Sequence, residues 1–132
     1  MTERTRPLSP FMHYRWQYTN SLSILHRLTG VFMVLGLMLF VYWLDAVASG
    51  PETYARAQLL IASAPVQFGL AAWLWSFFYH LLNGIRHLAW DLGHGFDLHV
   101  ARISGWLALT GSLVLTAAFW AFVTGRLSAG EL

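Results

Sequence analysis

The sequence contains no cysteine and no lysine, and only 11% of its 132 residues are charged. Without cysteine the chain holds no disulfide framework, no thiolate metal site and no cysteine-ligated iron–sulfur cluster. A water-soluble domain ordinarily has roughly 25% charged residues. With 57% of this chain hydrophobic, the composition excludes disorder and argues against an ordinary soluble domain. The eight basic residues are all Arg and exceed the six acids by only two. So small an excess makes no basic surface and argues against nucleic acid as a partner. Any metal must be bound by His or carboxylate, or belong to a cofactor.

What the chain does have is apolar length. The uncharged run from Ile103 to Gly125 exceeds the about 20 residues needed to cross a bilayer. A first span runs from about Leu22 to Ala48, after the N-cap candidates Thr19, Asn20 and Ser21. A second follows Gly50-Pro51 and the polar stretch 52–58, extending from about Leu59 to Ile85, with Pro65 and Gln67 interrupting its early part. A kink is expected at that proline. The pattern predicts a single all-α membrane domain with three transmembrane helices, at about 21–48, 59–90 and 103–126, behind an arm at 1–20. The arm is polar, contains Pro7 and Pro10, and does not read as a secretory signal. It reads as a cytoplasmic segment lying on the membrane surface or on a partner.

Arginine asymmetry sets the orientation. Arg4, Arg6, Arg15 and Arg27 flank the first helix, and Arg86 and Arg102 are assigned to the loop between the second and third, all on one side. The other side has Arg56 and Arg126, so the N-terminus is expected inside and the C-terminus outside. Tyr14, Trp16, Tyr18, Trp90 and Trp106 suit the inner boundary, and Tyr42, Trp43 and Trp120 the outer.

Ionisable groups inside a span are expensive and call for a functional explanation. The first helix carries Ser23, His26, Arg27 and Gly30 at helical spacing, and the second carries His80, Gly84, His87 and Asp91. Both stripes are expected in the inner half of the bilayer. At a rise of about 1.5 Å per residue, His26 would lie about 9 Å deep and His80 about 16 Å. That difference suits a haem standing edge-on, its iron at His80 and its propionates toward His26 and Arg27. Gly84 would let a flat macrocycle approach. Plainer roles stand beside these. Arg27 can snorkel to lipid phosphates, His26 can be an interfacial hydrogen bonder, and His87 and Asp91 can form a solvated helix end. His13, His94 and His99 read as surface residues and Asp45 as an outer-boundary residue. Because His26 is a turn too shallow, a second haem ligand is expected from another subunit. The small-residue ridge Ser104, Ala108, Ser112 and Thr116 would admit such a partner, or pack within its own three helices.

These residues resemble a known family. The segments Arg6-Pro7-Leu8-Ser9-Pro10, Ser23-Ile24-Leu25-His26-Arg27-Leu28-Thr29-Gly30, and His80 followed by Gly84-Ile85-Arg86-His87-Leu88 and Asp91 are similar to those of the cytochrome b anchor subunits of succinate dehydrogenase, respiratory complex II. The two helical motifs are specific as a pair. The resemblance implies that His80 is one axial ligand of a haem b shared with a small second anchor subunit, which supplies the other. It implies that Ser23 and Arg27 line a ubiquinone pocket, that His26 and Arg27 lie near the propionates, and that Asp91 is an acid close to the quinone. It further implies an iron–sulfur subunit on the inner face, a flavoprotein beyond it, and a bacterial inner membrane in preference to a mitochondrial one. The arm departs from the pattern, with Phe11-Met12-His13 after Ser-Pro where His often follows directly. A fumarate reductase anchor or a hydrogenase-type b subunit is an alternative of the same chemical class. A non-redox membrane protein that binds a polar solute is a rival of another class.

Overall fold

The structure, a computed structural model, describes residues 16–128 and 130. The arm up to residue 15 therefore lies outside the described residues, and with it His13. Four helices follow one another: α1 (Tyr18–Ala48), α2 (Pro51–Ile61), α3 (Ala64–Asp91) and α4 (Leu98–Ser128). Among the described residues there is no strand.

Three boundaries differ from the sequence expectation, each for a local reason. Helix α1 starts at Tyr18 with Gln17 at the N-cap and no side-chain cap. Thr19, Asn20 and Ser21 thus form its first turn, where Ser21 accepts the indole N–H of Trp16 at 2.7 Å. The polar stretch 52–58 is helical because Pro51 sits at the first helical position, where a missing N–H costs nothing. Leu59 to Ile61 end this short helix, and a 78° bend separates it from α3. The expected kink at Pro65 is thus a break just before it, at residues 62–63. Helix α4 starts five residues earlier than 103, because Asp97 Oδ1 accepts the backbone N–H groups of His99 at 2.8 Å and Val100 at 3.2 Å.

Between α3 and α4, Gly93 takes φ +82°. Its N–H donates to Trp90 O at 2.8 Å and the N–H of His94 donates to Ala89 O at 2.9 Å. This pair of bonds closes the end of α3 through a left-handed residue that glycine adopts without steric penalty.

Packing is inverted relative to a soluble protein. Fully buried side chains include Tyr79, Asn83 and Ser112, whereas Val31, Met38, Leu107, Val114 and Phe122 lie exposed around the outside. Polar and small residues hold the interior, and the apolar surface faces outward, the distribution expected where the surrounding solvent is hydrocarbon. Helix α1 and the stretch Leu98–Arg126 of α4 are each long and apolar enough to cross a membrane, and α2 with α3 qualifies as one bent pair. The small-residue ridge of α4 is consumed inside the chain. Ser112 accepts the indole N–H of Trp75 at 3.1 Å, Ser104 accepts from Arg86 at 3.0 Å, and Ala108 is buried. Of the two uses its spacing allows, packing against α3 is the one seen at Ser104 and Ser112.

Candidate functional site

The two stripes meet. The imidazoles of His26 and His80 stack with centroids 3.9 Å apart and planes 14° from parallel. His87 continues the column on the other side of His26, at 5.0 Å and 16°. The depth difference read from sequence is thus overturned at the level of the rings: side chains from positions about a turn apart converge. Sequence spacing places Cα atoms, and a ring reaches well beyond its own Cα.

His80 is held in a socket built by α1. Its Nδ1 lies 3.1 Å from the carbonyl oxygen of His26 and 3.4 Å from Thr29 Oγ1. A carbonyl oxygen only accepts, so this contact places a proton on Nδ1, and in the neutral ring Nε2 then keeps its lone pair. A Cβ at Gly30 would stand 3.0 Å from His80 Cε1, so glycine there makes the room the ring uses. Gly84 plays a lesser part, since a Cβ there would meet only His26 Cε1 at 4.0 Å. The glycine closest to the candidate ligand is therefore Gly30, which the sequence stripe contained without a role.

His26 Nδ1 is buried with no hydrogen-bond partner among the described residues. His87 is oriented by its Nδ1, 2.7 Å from Asn83 O, and meets Trp90 edge-on at 5.0 Å. Ser23 is half-buried and Arg27 exposed, one turn apart on the same side of α1, and no hydrogen bond or ion pair holds either among the described residues. Asp91 is exposed at the last position of α3. No hydrogen bond or ion pair among the described residues joins it to Ser23 or Arg27, whereas the histidine rings are in direct contact.

Arg86 is the main surprise. The sequence assigned it to the inner loop, but it is on α3, only 7% exposed. Its guanidinium donates to Ser104 Oγ at 3.0 Å, to Ala101 O at 2.9 Å and to Asn83 Oδ1 at 3.3 Å, and it lies 4.0 Å over the Trp90 ring. Removing Arg86 from the loop lowers the inner-side arginine total without reversing the asymmetry. Asn83 and Tyr79 also went unread. Both are fully buried, and the Tyr79 hydroxyl donates to Leu22 O at 3.0 Å. Their signal was present: positions 79, 83, 86 and 90 recur at helical spacing.

The helical, inside-out fold with a histidine socket at an α1–α3 contact defines a membrane subunit, and comparison with known proteins places it. Residues 2–119 match the family model described as succinate dehydrogenase/fumarate reductase transmembrane subunit, and the chain belongs to that family. It is 38% identical over 116 residues to the succinate dehydrogenase cytochrome b556 subunit of Rickettsia conorii (87% of this chain, 90% of the relative). It is 37% identical over 111 residues to the cytochrome b556 subunit of Paracoccus denitrificans (83% and 85%). The mitochondrial cytochrome b560 subunit of Mus musculus is 35% identical over 107 residues (79% and 63%).

Proposed function

We propose that this chain is the haem-bearing membrane anchor of a succinate:quinone oxidoreductase in a bacterial inner membrane. It crosses three times, by α1, by α2 with α3, and by α4, with its N-terminus inside, and has no catalytic activity alone. The observation that carries the reading is the His80 socket, in which a neutral imidazole deep in an apolar helix keeps Nε2 as a lone-pair donor. That is the form in which histidine ligates iron. The relatives named cytochrome b556 subunits support it.

Two observations test whether the residues fit haem b, and both fit. His80 has its distal nitrogen fixed by a backbone carbonyl, the usual support of a metal-bound imidazole. His26 has a buried, unpartnered Nδ1 that suits an acidic oxygen such as a propionate. His80 would be this chain's one ligand to the haem iron, because the rings of His26 and His80, stacked 3.9 Å apart, leave no room for a macrocycle between them. The other ligand then comes from a second, small anchor subunit that completes a larger helical bundle. When bound, the haem supplies a one-electron store beside the quinone.

The chain's own residues do the rest. Ser23 Oγ and the Arg27 guanidinium, on one side of α1 and unengaged among the described residues, donate hydrogen bonds to quinone carbonyl oxygens. The Asp91 carboxylate, exposed at the end of α3, holds and passes protons from the inner aqueous side. Electrons arrive through an iron–sulfur subunit on that side, which links to the flavoprotein that oxidises succinate.

The intact complex, purified in mild detergent, tests this reading. A b-type α-band in the reduced-minus-oxidised spectrum should be lost or altered in His80→Leu. Arg27→Ala should lower kcat/KM for quinone about ten- to a hundredfold, the loss of one charge-assisted bond of about 1.5–3 kcal/mol. Ser23→Ala should lower it less. An unchanged spectrum, or full turnover in both pocket variants, would reject the corresponding assignment. The family description also covers fumarate reductase; succinate-dependent quinone reduction by the complex separates the two.

A further inference from the structure

We propose that Thr29 and Gly30 are positioning residues for His80: the Thr29 hydroxyl, with the His26 carbonyl, holds the Nδ1–H of the imidazole, and the absent side chain of Gly30 seats its Cε1 edge, so that α1 dictates which nitrogen is presented and at what ring angle. The inference rests on the reading of His80 as a haem ligand.

Three separate contacts carry it. Thr29 is 3% exposed. Its Oγ1 lies 2.9 Å from both Leu25 O and His26 O, so its proton is engaged by its own helix and its lone pairs are free to face His80. His80 Nδ1 stands between two acceptors, His26 O at 3.1 Å and Thr29 Oγ1 at 3.4 Å. The one Thr29 hydroxyl proton is shared between Leu25 O and His26 O, so the His26 carbonyl accepts part of it together with the imidazole N–H, and the hydroxyl tunes how strongly that carbonyl can pull on the ring. Strength of pull on the distal N–H is one of the protein's means of setting ligand basicity and iron potential.

Gly30 supplies the angle. A Cβ there would lie 3.0 Å from Cε1 and 3.5 Å from Nδ1 of His80, a contact that requires the imidazole or the helix to shift. The facing surface of the ring is closed by His26 at 3.9 Å. Ring rotation is thus limited on one edge by backbone, on one face by a second imidazole, and at one nitrogen by hydrogen bonds.

The test uses the intact complex carrying Thr29→Val, Thr29→Ser, Gly30→Ala and, for reference, His80→Leu. Haem content, the g-values of the ferric haem and its midpoint potential are read alongside assembly. Thr29→Val keeps the side-chain volume and removes the hydroxyl. It should retain haem with displaced g-values and potential, and Thr29→Ser should restore both. Gly30→Ala should displace the g-values by turning the ring. Loss of haem in His80→Leu together with wild-type signatures in Thr29→Val and Gly30→Ala would overturn the proposal. Wild-type haem in His80→Leu would instead overturn the ligand reading beneath it. If Thr29→Val does not assemble, Gly30→Ala decides, and unmoved g-values there overturn the proposal.

Discussion

The indole of Trp73 occupies the space that a side chain at Gly36 would fill. A Cβ built at Gly36 collides with Trp73 Nε1 and Cδ1, and the same Nε1 donates to Met33 O at 3.0 Å. Near the inner end of the same helix pair, His80 enters the notch at Gly30 and its Nδ1 lies against His26 O. One device is used twice: a ring nitrogen on α3 bonds an α1 carbonyl while a glycine on α1 makes room for the ring. Two such locks, a few turns apart, fix the sliding register of α1 against α3. The inner histidine column therefore depends on an outer tryptophan.

Gly36→Ala should destabilise the subunit by about 1–3 kcal/mol, since the indole has no free space to retreat into. Gly69, on α3 one turn before Trp73 and with nothing near its would-be Cβ, is the control. Gly69→Ala should be neutral or stabilising by up to about 1 kcal/mol through helix propensity. Thermal unfolding of the detergent-solubilised complex, followed by loss of subunit association, reads both. Equal effects would show that the Trp73 contact is not rigid.

Arg86→Ala should destabilise the α3–α4 pair by about 1.5–3 kcal/mol, the loss of hydrogen bonds from a charged donor with the buried Asn83 Oδ1 left without its partner. Ser104→Ala, which spares the other two bonds, should cost only about 0.6 kcal/mol. Because the guanidinium is buried, neither effect should change with ionic strength. Unfolding midpoints at low and high salt check magnitude and salt response together.

Glu52 and Arg56 form an ion pair at 2.6 Å on the first turns of α2, with both side chains largely exposed, at 83% and 75% respectively. Glu52→Gln should shift stability by no more than about 0.5 kcal/mol. A larger loss in the same unfolding assay would mean that α2 is held by a partner.

Helix existence was legible in the sequence because long uncharged runs have few other solutions in a membrane. Helix ends were less so. Pro51 and Asp97 each begin a helix, but their signals lie in polar stretches that hydropathy reads as loops. The histidines of the site were legible because an ionisable residue in an apolar run is costly enough to stand out. Their mutual geometry was not, since it depends on the α1–α3 register, and that register is set by Gly36 with Trp73 and by Gly30 with His80. Asn83, Tyr79 and Arg86 were missed for a related reason. Near a helix end an arginine reads as a boundary charge, and only the position of α4 shows that it points inward.

The burial of Arg86 bears on how the chain enters a bilayer. A lone α3 would expose a guanidinium whose acceptors Ser104 Oγ and Ala101 O belong to α4, at a cost below the about 2.5–3.5 kcal/mol of a charge at the helix centre, since Arg86 lies near the end of α3. Paired with α4, that burden vanishes. Biogenesis should thus favour lateral release of the two segments as a hairpin, and truncation of the nascent chain before residue 98 should leave α3 poorly integrated in a translocon assay.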